Sequence, residues 1–98
     1  MNKERKHFGI TYNDKEKEIY VFGGCVGQEN TQPIKTCGKF LVDKNQWKKM
    51  VSMEQNKSGV SACIVNYKFI YLIGGENEEE YLNDIEKYNI AENTMETI

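Results

Sequence analysis

The sequence has too few residues of several types to support the common kinds of catalytic or metal site. It contains one histidine, His7, and one proline, Pro33, among 98 residues. A single histidine excludes a metal site with two histidine ligands within one chain. The three cysteines are an odd number, and Cys25 and Cys37 lack the close pairing that structural zinc sites show. We therefore predict no metal and no cofactor, and we expect that the chain is not an enzyme.

Long apolar runs and charge of one sign are also missing. No stretch approaches the roughly 18 apolar residues of a membrane helix, and Met1–Phe8 shows no apolar region of a secretory signal. Lysine and glutamate are mixed along the chain and the net charge is −2, unlike the basic footprint of a nucleic-acid-binding protein. We expect reduced cysteines in a cytoplasmic protein that binds neither nucleic acid nor membrane.

What the sequence does contain is an internal repeat. The segment Ile19–Gly24 reads IYVFGG, and it recurs 51 residues later as IYLIGG at Ile70–Gly75. The similarity continues past the glycine pair, because Lys39–Trp47 aligns with Lys87–Met95 at an offset of 48 residues. Offsets that differ by a few residues are expected where only the turn lengths vary between copies. The chain is therefore read as two copies of one structural unit.

Each copy reads as four β-strands. The run before each glycine pair is continuously apolar and rich in β-branched or aromatic residues, which is typical of a strand buried on both faces. Turn residues follow the first strand of each copy, at Asn13–Lys15 and Asn66–Lys68. Cys63 lies in an apolar strand and is expected to be a small core residue. The predicted strands cover residues 7–12, 18–24, 37–43 and 46–51, then 59–65, 68–74, 84–90 and 94–98.

One segment of the second copy also fits a helix. Tyr81, Ile85 and Tyr88 fall at positions i, i+4 and i+7, as on one face of an amphipathic helix. The equivalent segment of the first copy, Thr36–Trp47, contains Gly38 and alternates apolar with polar residues, which is unfavourable for a helix. We therefore predict a strand preceded by an acidic loop.

These residues resemble the kelch repeat. Kelch units have a period near 50 residues, a hydrophobic strand that ends in Gly-Gly, a tyrosine in the third strand and a tryptophan that opens the fourth. Phe40 stands at the tyrosine position of the first unit, and Met95 stands at the tryptophan position of the second. The residues that match the repeat signature are Gly23, Gly24, Trp47, Gly74, Gly75 and Tyr88.

The resemblance extends from about Lys6 to Ile98 and implies an all-β fold of two four-stranded antiparallel blades, part of a β-propeller. The implied divisions are a tail at 1–5, one blade at 6–53 and a second at 54–98. Propellers close with about four to eight blades, so two blades leave sheet edges and apolar faces uncovered. We expect either a fragment of a larger propeller or a chain whose further blades come from copies of itself.

The resemblance also implies binding of a protein partner through loops. In kelch propellers, the loops from the second to the third strand and from the fourth to the next first strand gather on one face. On this chain they are about 25–36, 52–58 and 76–83. The candidate partner-binding residues are Gln28, Glu29, Asn30, Gln32, Glu54, Asn56, Asn77 and Glu79. We predict an interaction module of a scaffold or adaptor.

Two alternatives come from other classes of protein. The first is a small lectin-like chain that trimerises into a six-bladed sugar-binding propeller, for which Trp47 and Tyr67 are the aromatic candidates. The second is the remnant of a propeller enzyme, whose active site would need groups from more than these blades. Fold resemblance alone does not establish an activity.

Overall fold

The computed structural model describes residues 5–26, 32–77 and 80–98. Within these ranges the chain forms strands, turns and one 3-10 turn at Val42–Lys44, with no α-helix and no helix that could span a membrane. The helical alternative near Tyr81–Tyr88 is therefore wrong, and the predicted strand is confirmed. The strands are β1 Gly9–Asn13, β2 Glu18–Phe22, β3 Cys25–Val26, β4 Gln32–Pro33, β5 Cys37–Leu41, β6 Gln46–Met50, β7 Ser61–Val65, β8 Phe69–Ile73, β9 Ile85–Asn89 and β10 Thr94–Thr97.

Eight of these strands form two four-stranded antiparallel sheets, in the orders β1-β2-β5-β6 and β7-β8-β9-β10. The register repeats as well, because Tyr20 pairs with Lys39 in the first sheet and Tyr71 pairs with Lys87 in the second. Each predicted strand is confirmed to within two residues at its ends. The small hairpin of β3 and β4 was not predicted. The two sheets have the form of propeller blades, and we refer to them as the first and second blade.

Asparagines shape the turns between strands. The buried Asn13 side chain accepts hydrogen bonds from the backbone N–H groups of Lys15 and Glu16, each at 3.1 Å. Asn89 accepts one from the N–H of Glu92 at 3.0 Å. Asparagine is common in turns because its side chain can bond the backbone a few residues further on. Both predicted turns, at Asn13–Lys15 and Asn66–Lys68, lie between paired strands, and Asn13 closes the first of them with its own side chain.

The core lies between the two blades. Tyr20 and Phe22 of β2 are fully buried, as are Ile70 and Leu72 of β8. The ring of Tyr88 lies 6.3 Å from that of Tyr20 and 6.0 Å from that of Phe22, measured between centroids. Burying a side chain of this size contributes about 1.5–3 kcal/mol. Each blade therefore depends on the other for much of its apolar burial.

The prediction that Cys63 lies in the core is wrong. In β7 the exposed residues Ser61, Cys63 and Val65 alternate with Ala62 and Ile64, which pack against the core. An apolar strand in a sequence does not reveal which of its faces a neighbouring sheet covers. Cys63 belongs to the face of the second blade that points away from the first.

Cys37 should be chemically inert in the folded chain. Burial raises the pKa of its thiol to about 12, so the thiol stays protonated at neutral pH, and only the thiolate reacts readily. We expect a disulfide-exchange reagent to modify Cys37 only after unfolding, as measured by peptide mass spectrometry with and without denaturant. Modification of Cys37 in the folded chain as fast as that of the exposed Cys63 would contradict this.

Candidate functional site

The loops that follow β2, β6 and β8 lie at the same end of the two blades. Successive antiparallel strands reverse direction, so these loops share one end and the short turns between paired strands share the other. We call the first end the loop surface. Its described residues are 23–26, 32–36, 51–60, 74–77 and 80–84. The three loops that the sequence indicated are thus on one side of the molecule.

Backbone hydrogen bonds hold the base of the first loop. The N–H of Gly23 donates to the carbonyl of Thr36 at 3.0 Å, and the N–H of Ile34 donates to Gly24 at 2.9 Å. Two more bonds cross to the second blade: Gly24 N–H donates to Lys57 at 2.8 Å, and Lys57 N–H donates to Ile34 at 3.0 Å. The loop surface therefore rests on a connected scaffold that joins both blades.

The repeat signature is structural in this arrangement. Gly23 and Gly74 each follow a central strand with a positive φ, of 61° and 70°, and Gly24 and Gly75 do so at 99° and 97°. Residues other than glycine rarely adopt such backbone φ angles. Tyr88 belongs to the core. The glycine pairs turn the chain out of the sheet and into the loops.

A buried ionic cluster ties the linker between the blades to the second blade. Lys57 is fully buried, and its Nζ lies 2.6 Å from Glu86 Oε2 and 3.2 Å from Asp84 Oδ1. Glu86 is also fully buried and accepts a hydrogen bond from the backbone N–H of Glu54 at 2.7 Å. The side chain of Gln55 donates to Asp84 at 3.1 Å. These contacts fix the linker that carries Glu54 and Asn56.

This cluster was not predicted from the sequence. Glu86 shares a face of β9 with Tyr88, so the alternation of the strand points a carboxylate toward the core. A charged residue at an inward position is rare unless it is paired. That mismatch was the available signal, but it does not identify Lys57 as the partner.

Tyr81 is the most prominent side chain of the loop surface, with 87% of its area exposed. The segment around it is held by the backbone, because Glu76 forms a bridge with Tyr81 and the N–H of Leu82 donates to Gly75 at 2.8 Å. The Asn77 side chain also accepts the N–H of Glu80 at 2.9 Å. Tyrosine is enriched among residues that dominate protein interfaces. An exposed aromatic on a fixed segment is thus suited to contact a partner.

Four of the residues proposed for partner binding lie in the described parts of the loop surface. Gln32, Glu54 and Asn56 are exposed, and Asn77 is half-buried. Gln28, Glu29, Asn30 and Glu79 lie outside the described residues. Tyr81 was considered only for its helical spacing, since a single sequence does not show which aromatic side chain remains exposed.

The two aromatic candidates for sugar stacking have separate surroundings. Trp47 of β6 packs on Phe40 with 5.1 Å between ring centroids. Tyr67 lies in the turn between β7 and β8, at the opposite end from the loop surface, and its hydroxyl donates to Asp14 at 3.0 Å. Neither residue belongs to the loop surface. Among the described residues, no group of three or more His, Cys, Asp and Glu side chains is arranged to hold a metal ion.

A known protein family matches the sequence of both blades. The family model described as the kelch motif matches the chain twice, over residues 16–54 and 57–94. Each match contains one glycine pair and the third strand of one blade, and together the matches cover more than half of the chain. The repeat found in the sequence and the repeated sheet in the structure therefore correspond to one motif that occurs twice.

Proposed function

The chain belongs to the kelch-repeat family, and on that premise we propose that it binds a partner protein through the loop surface, without catalysis, as part of a scaffold or adaptor. Kelch repeats support a protein-interaction module in general. The observation that carries the more specific proposal is Tyr81, an exposed aromatic on a segment fixed by backbone hydrogen bonds. Binding residues commonly lie on loops that a rigid sheet positions.

The chemistry of the partner follows from the neighbours of Tyr81. The adjacent Glu80 is exposed and acidic, and the exposed Glu54 lies on the same loop surface. Lys57 is already neutralised by the carboxylates of Glu86 and Asp84. We therefore propose a partner segment that sets an apolar or aromatic side chain against Tyr81 and a lysine or arginine toward Glu80. The proposal includes a cytoplasmic location, since the three cysteines are free and reducing compartments maintain thiols.

A peptide-display selection tests this proposal. Peptides selected on the unmodified chain are measured against the Tyr81→Ala and Tyr67→Ala variants by isothermal titration calorimetry. Loss of a tyrosine that dominates an interface removes about 2 kcal/mol or more of binding free energy, so we expect Kd to rise about thirtyfold or more with Tyr81→Ala. Tyr67→Ala is the matched control, because it removes the same side chain at the opposite end of the sheets.

Two results would contradict the proposal. If no selected peptide loses affinity with Tyr81→Ala, or if both variants weaken binding equally, the loop surface around Tyr81 is not the binding site. Circular dichroism of both variants keeps this outcome separate from unfolding. Tyr81 has most of its surface in water, so its truncation should leave the melting temperature nearly unchanged.

A further inference from the structure

Each blade covers one face of the other and leaves its second face open. We call the uncovered side of the first blade the first open face, which carries Ile10, Tyr12, Ile19, Phe40 and Trp47. The uncovered side of the second blade, the second open face, carries Cys63, Val65, Tyr71, Ile73 and Ile85. All ten side chains are exposed or half-buried. These faces lie on the flanks of the blades and do not overlap the loop surface.

The repeat relates each open face to a face that is already covered. Tyr71–Ile73 in β8 occupies the positions of Tyr20–Phe22 in β2, at an offset of 51 residues. Phe40 in β5 occupies the position of Tyr88 in β9, at an offset of 48 residues. In the junction between the blades, the rings at both ends of Tyr20–Phe22 pack on Tyr88. The second open face is thus built like the face that receives Tyr88, and Phe40 is placed to fill it.

The backbone groups at the junction between the blades are also related by the repeat. Three hydrogen bonds join the first blade to residues 57–59, which precede β7. The N–H of Gly24 donates to Lys57 at 2.8 Å, the N–H of Lys57 donates to Ile34 at 3.0 Å, and the N–H of Gly59 donates to His7 at 2.6 Å. Each of these groups has an equivalent in the other repeat. The second blade can therefore form the same three bonds with a further docked segment.

The equivalent groups can be assigned residue by residue. At offsets of 48 to 52 residues, the corresponding pairs are Gly24 and Gly75, Ile34 and Leu82, Lys57 and Arg5, and Gly59 and His7. Two antiparallel bridges support this assignment, since Lys6 bridges to Cys25 as Ser58 bridges to Glu76.

These equivalent groups are unsatisfied within the described part of the chain. Among the described residues, the N–H of Gly75 and the carbonyls of Leu82 and Gly59 have no hydrogen-bond partner. The same holds for the backbone N–H and carbonyl of Arg5 and the N–H of His7. The two sets are complementary: Gly75 can donate to Arg5, Arg5 to Leu82, and His7 to Gly59. Unpaired backbone N–H and C=O groups, as along the edge of a sheet, are a template for pairing with another chain.

Space for such an addition is present beside Gly74. A Cβ atom on Gly23 would lie 2.5 Å from the carbonyl oxygen of Lys57, which belongs to the docked neighbouring segment. A Cβ atom on the equivalent Gly74 would meet nothing closer than the carbonyl oxygen of Leu82 at 3.6 Å. The second blade therefore keeps the glycine and the opening, without the segment that fills it in the first blade.

We propose that a second copy of this chain docks head to tail on the second open face. Its Arg5–His7 segment bonds to Gly75, Leu82 and Gly59, and its first open face packs on the second open face. Each contact joins two different surfaces, so the assembly is heterologous and can continue until a ring closes. This inference uses the flanks of the blades and the backbone groups of Gly59, Gly75 and Leu82 within the loop surface, and it does not involve the side chain of Tyr81.

The test uses one charged substitution on each open face. Ile10 is 55% exposed and Ile73 is 48% exposed, so Ile10→Glu and Ile73→Glu leave the single chain able to fold. Light scattering of the unmodified chain should give a mass that is a multiple of 11.4 kDa. Each variant alone should be monomeric, because every contact would then include one damaged face. The Ala91→Glu control, in an exposed turn at the opposite end, should keep the mass of the unmodified chain.

Mixing the two variants distinguishes head-to-tail docking from other association. Ile10→Glu retains the second open face and Ile73→Glu retains the first, so an equimolar mixture should form a dimer and stop there. Cys63 lies on the second open face and should react with a thiol reagent more slowly in the unmodified assembly than in the Ile10→Glu variant. A monomeric unmodified chain, an aggregate without defined mass, or a mixture that stays monomeric would overturn the proposal.

Discussion

Replacing Gly23 with alanine should lower the free energy of unfolding by about 2–5 kcal/mol, whereas the same change at Gly74 should lower it by about 1–2 kcal/mol. The two glycines occupy equivalent positions with φ of 61° and 70°, so both variants incur the cost of a side chain in the left-handed region, about 1–2 kcal/mol. Only at Gly23 would the new methyl group lie 2.5 Å from both Lys57 O and Met53 Cε. Such overpacking adds about 1–3 kcal/mol.

Urea unfolding of the two variants measures this difference. The measurement is best made in the Ile10→Glu background, which removes contacts between copies and leaves only the junction within one chain. Equal losses of stability for the two alanine variants would mean that Gly23 is not enclosed by the second blade, and that the junction between the blades is looser than described.

The second large effect concerns the buried ionic cluster. Lys57→Met should lower the free energy of unfolding by about 3–5 kcal/mol, because removing one partner leaves a buried charge uncompensated. Both Lys57 and Glu86 are fully buried, and after the change the Glu86 carboxylate would keep only its bond from the N–H of Glu54. Glu86→Gln should be milder, since Asp84 still lies 3.2 Å from the Lys57 ammonium.

A double-mutant cycle separates the ion pair from the rest of the site. The Lys57→Met/Glu86→Gln variant carries neither buried charge, so it should be more stable than Lys57→Met alone. Lys87→Met serves as the control, because Lys87 pairs with a mostly exposed Glu96 at 3.1 Å and lies 4.7 Å from the centroid of the Phe69 ring, and contacts of these two kinds contribute about 0–1 kcal/mol each. Additive losses in the cycle, or a Lys87→Met effect as large as that of Lys57→Met, would show that the buried cluster does not act as an ion pair.

The strands could be predicted from the sequence because each blade repeats a local pattern of residues. Continuous apolar runs such as Ile19–Phe22, the turn at Asn13–Lys15 and the glycine pairs mark strand ends that depend mainly on neighbouring residues. The β3–β4 hairpin was missed, since two residues per strand at Cys25–Val26 and Gln32–Pro33 are too few to show a periodicity.

Features that depend on distant contacts could not be predicted. The face of β7 that carries Cys63 is apolar enough to be covered, yet it is exposed because no other part of the described chain packs there. Lys57 appears as an ordinary surface residue in a polar linker, and its burial depends on two carboxylates about thirty residues away. Tyr81 is the reverse of Lys57, because it is exposed although an aromatic residue in a sequence is more readily assigned to a core than to a loop surface.

The order of the strands within each blade has a kinetic consequence. Both sheets follow the order of the chain, so each blade can form from hairpins whose partners are close in sequence, and local contacts of this kind favour rapid folding. Stability then depends on coupling between adjacent units, as in other repeat proteins. Duplication of one unit would add a blade whose docking face, glycine pair and backbone bonds are already encoded. A chain built in this way can therefore gain blades during evolution by duplication of one unit.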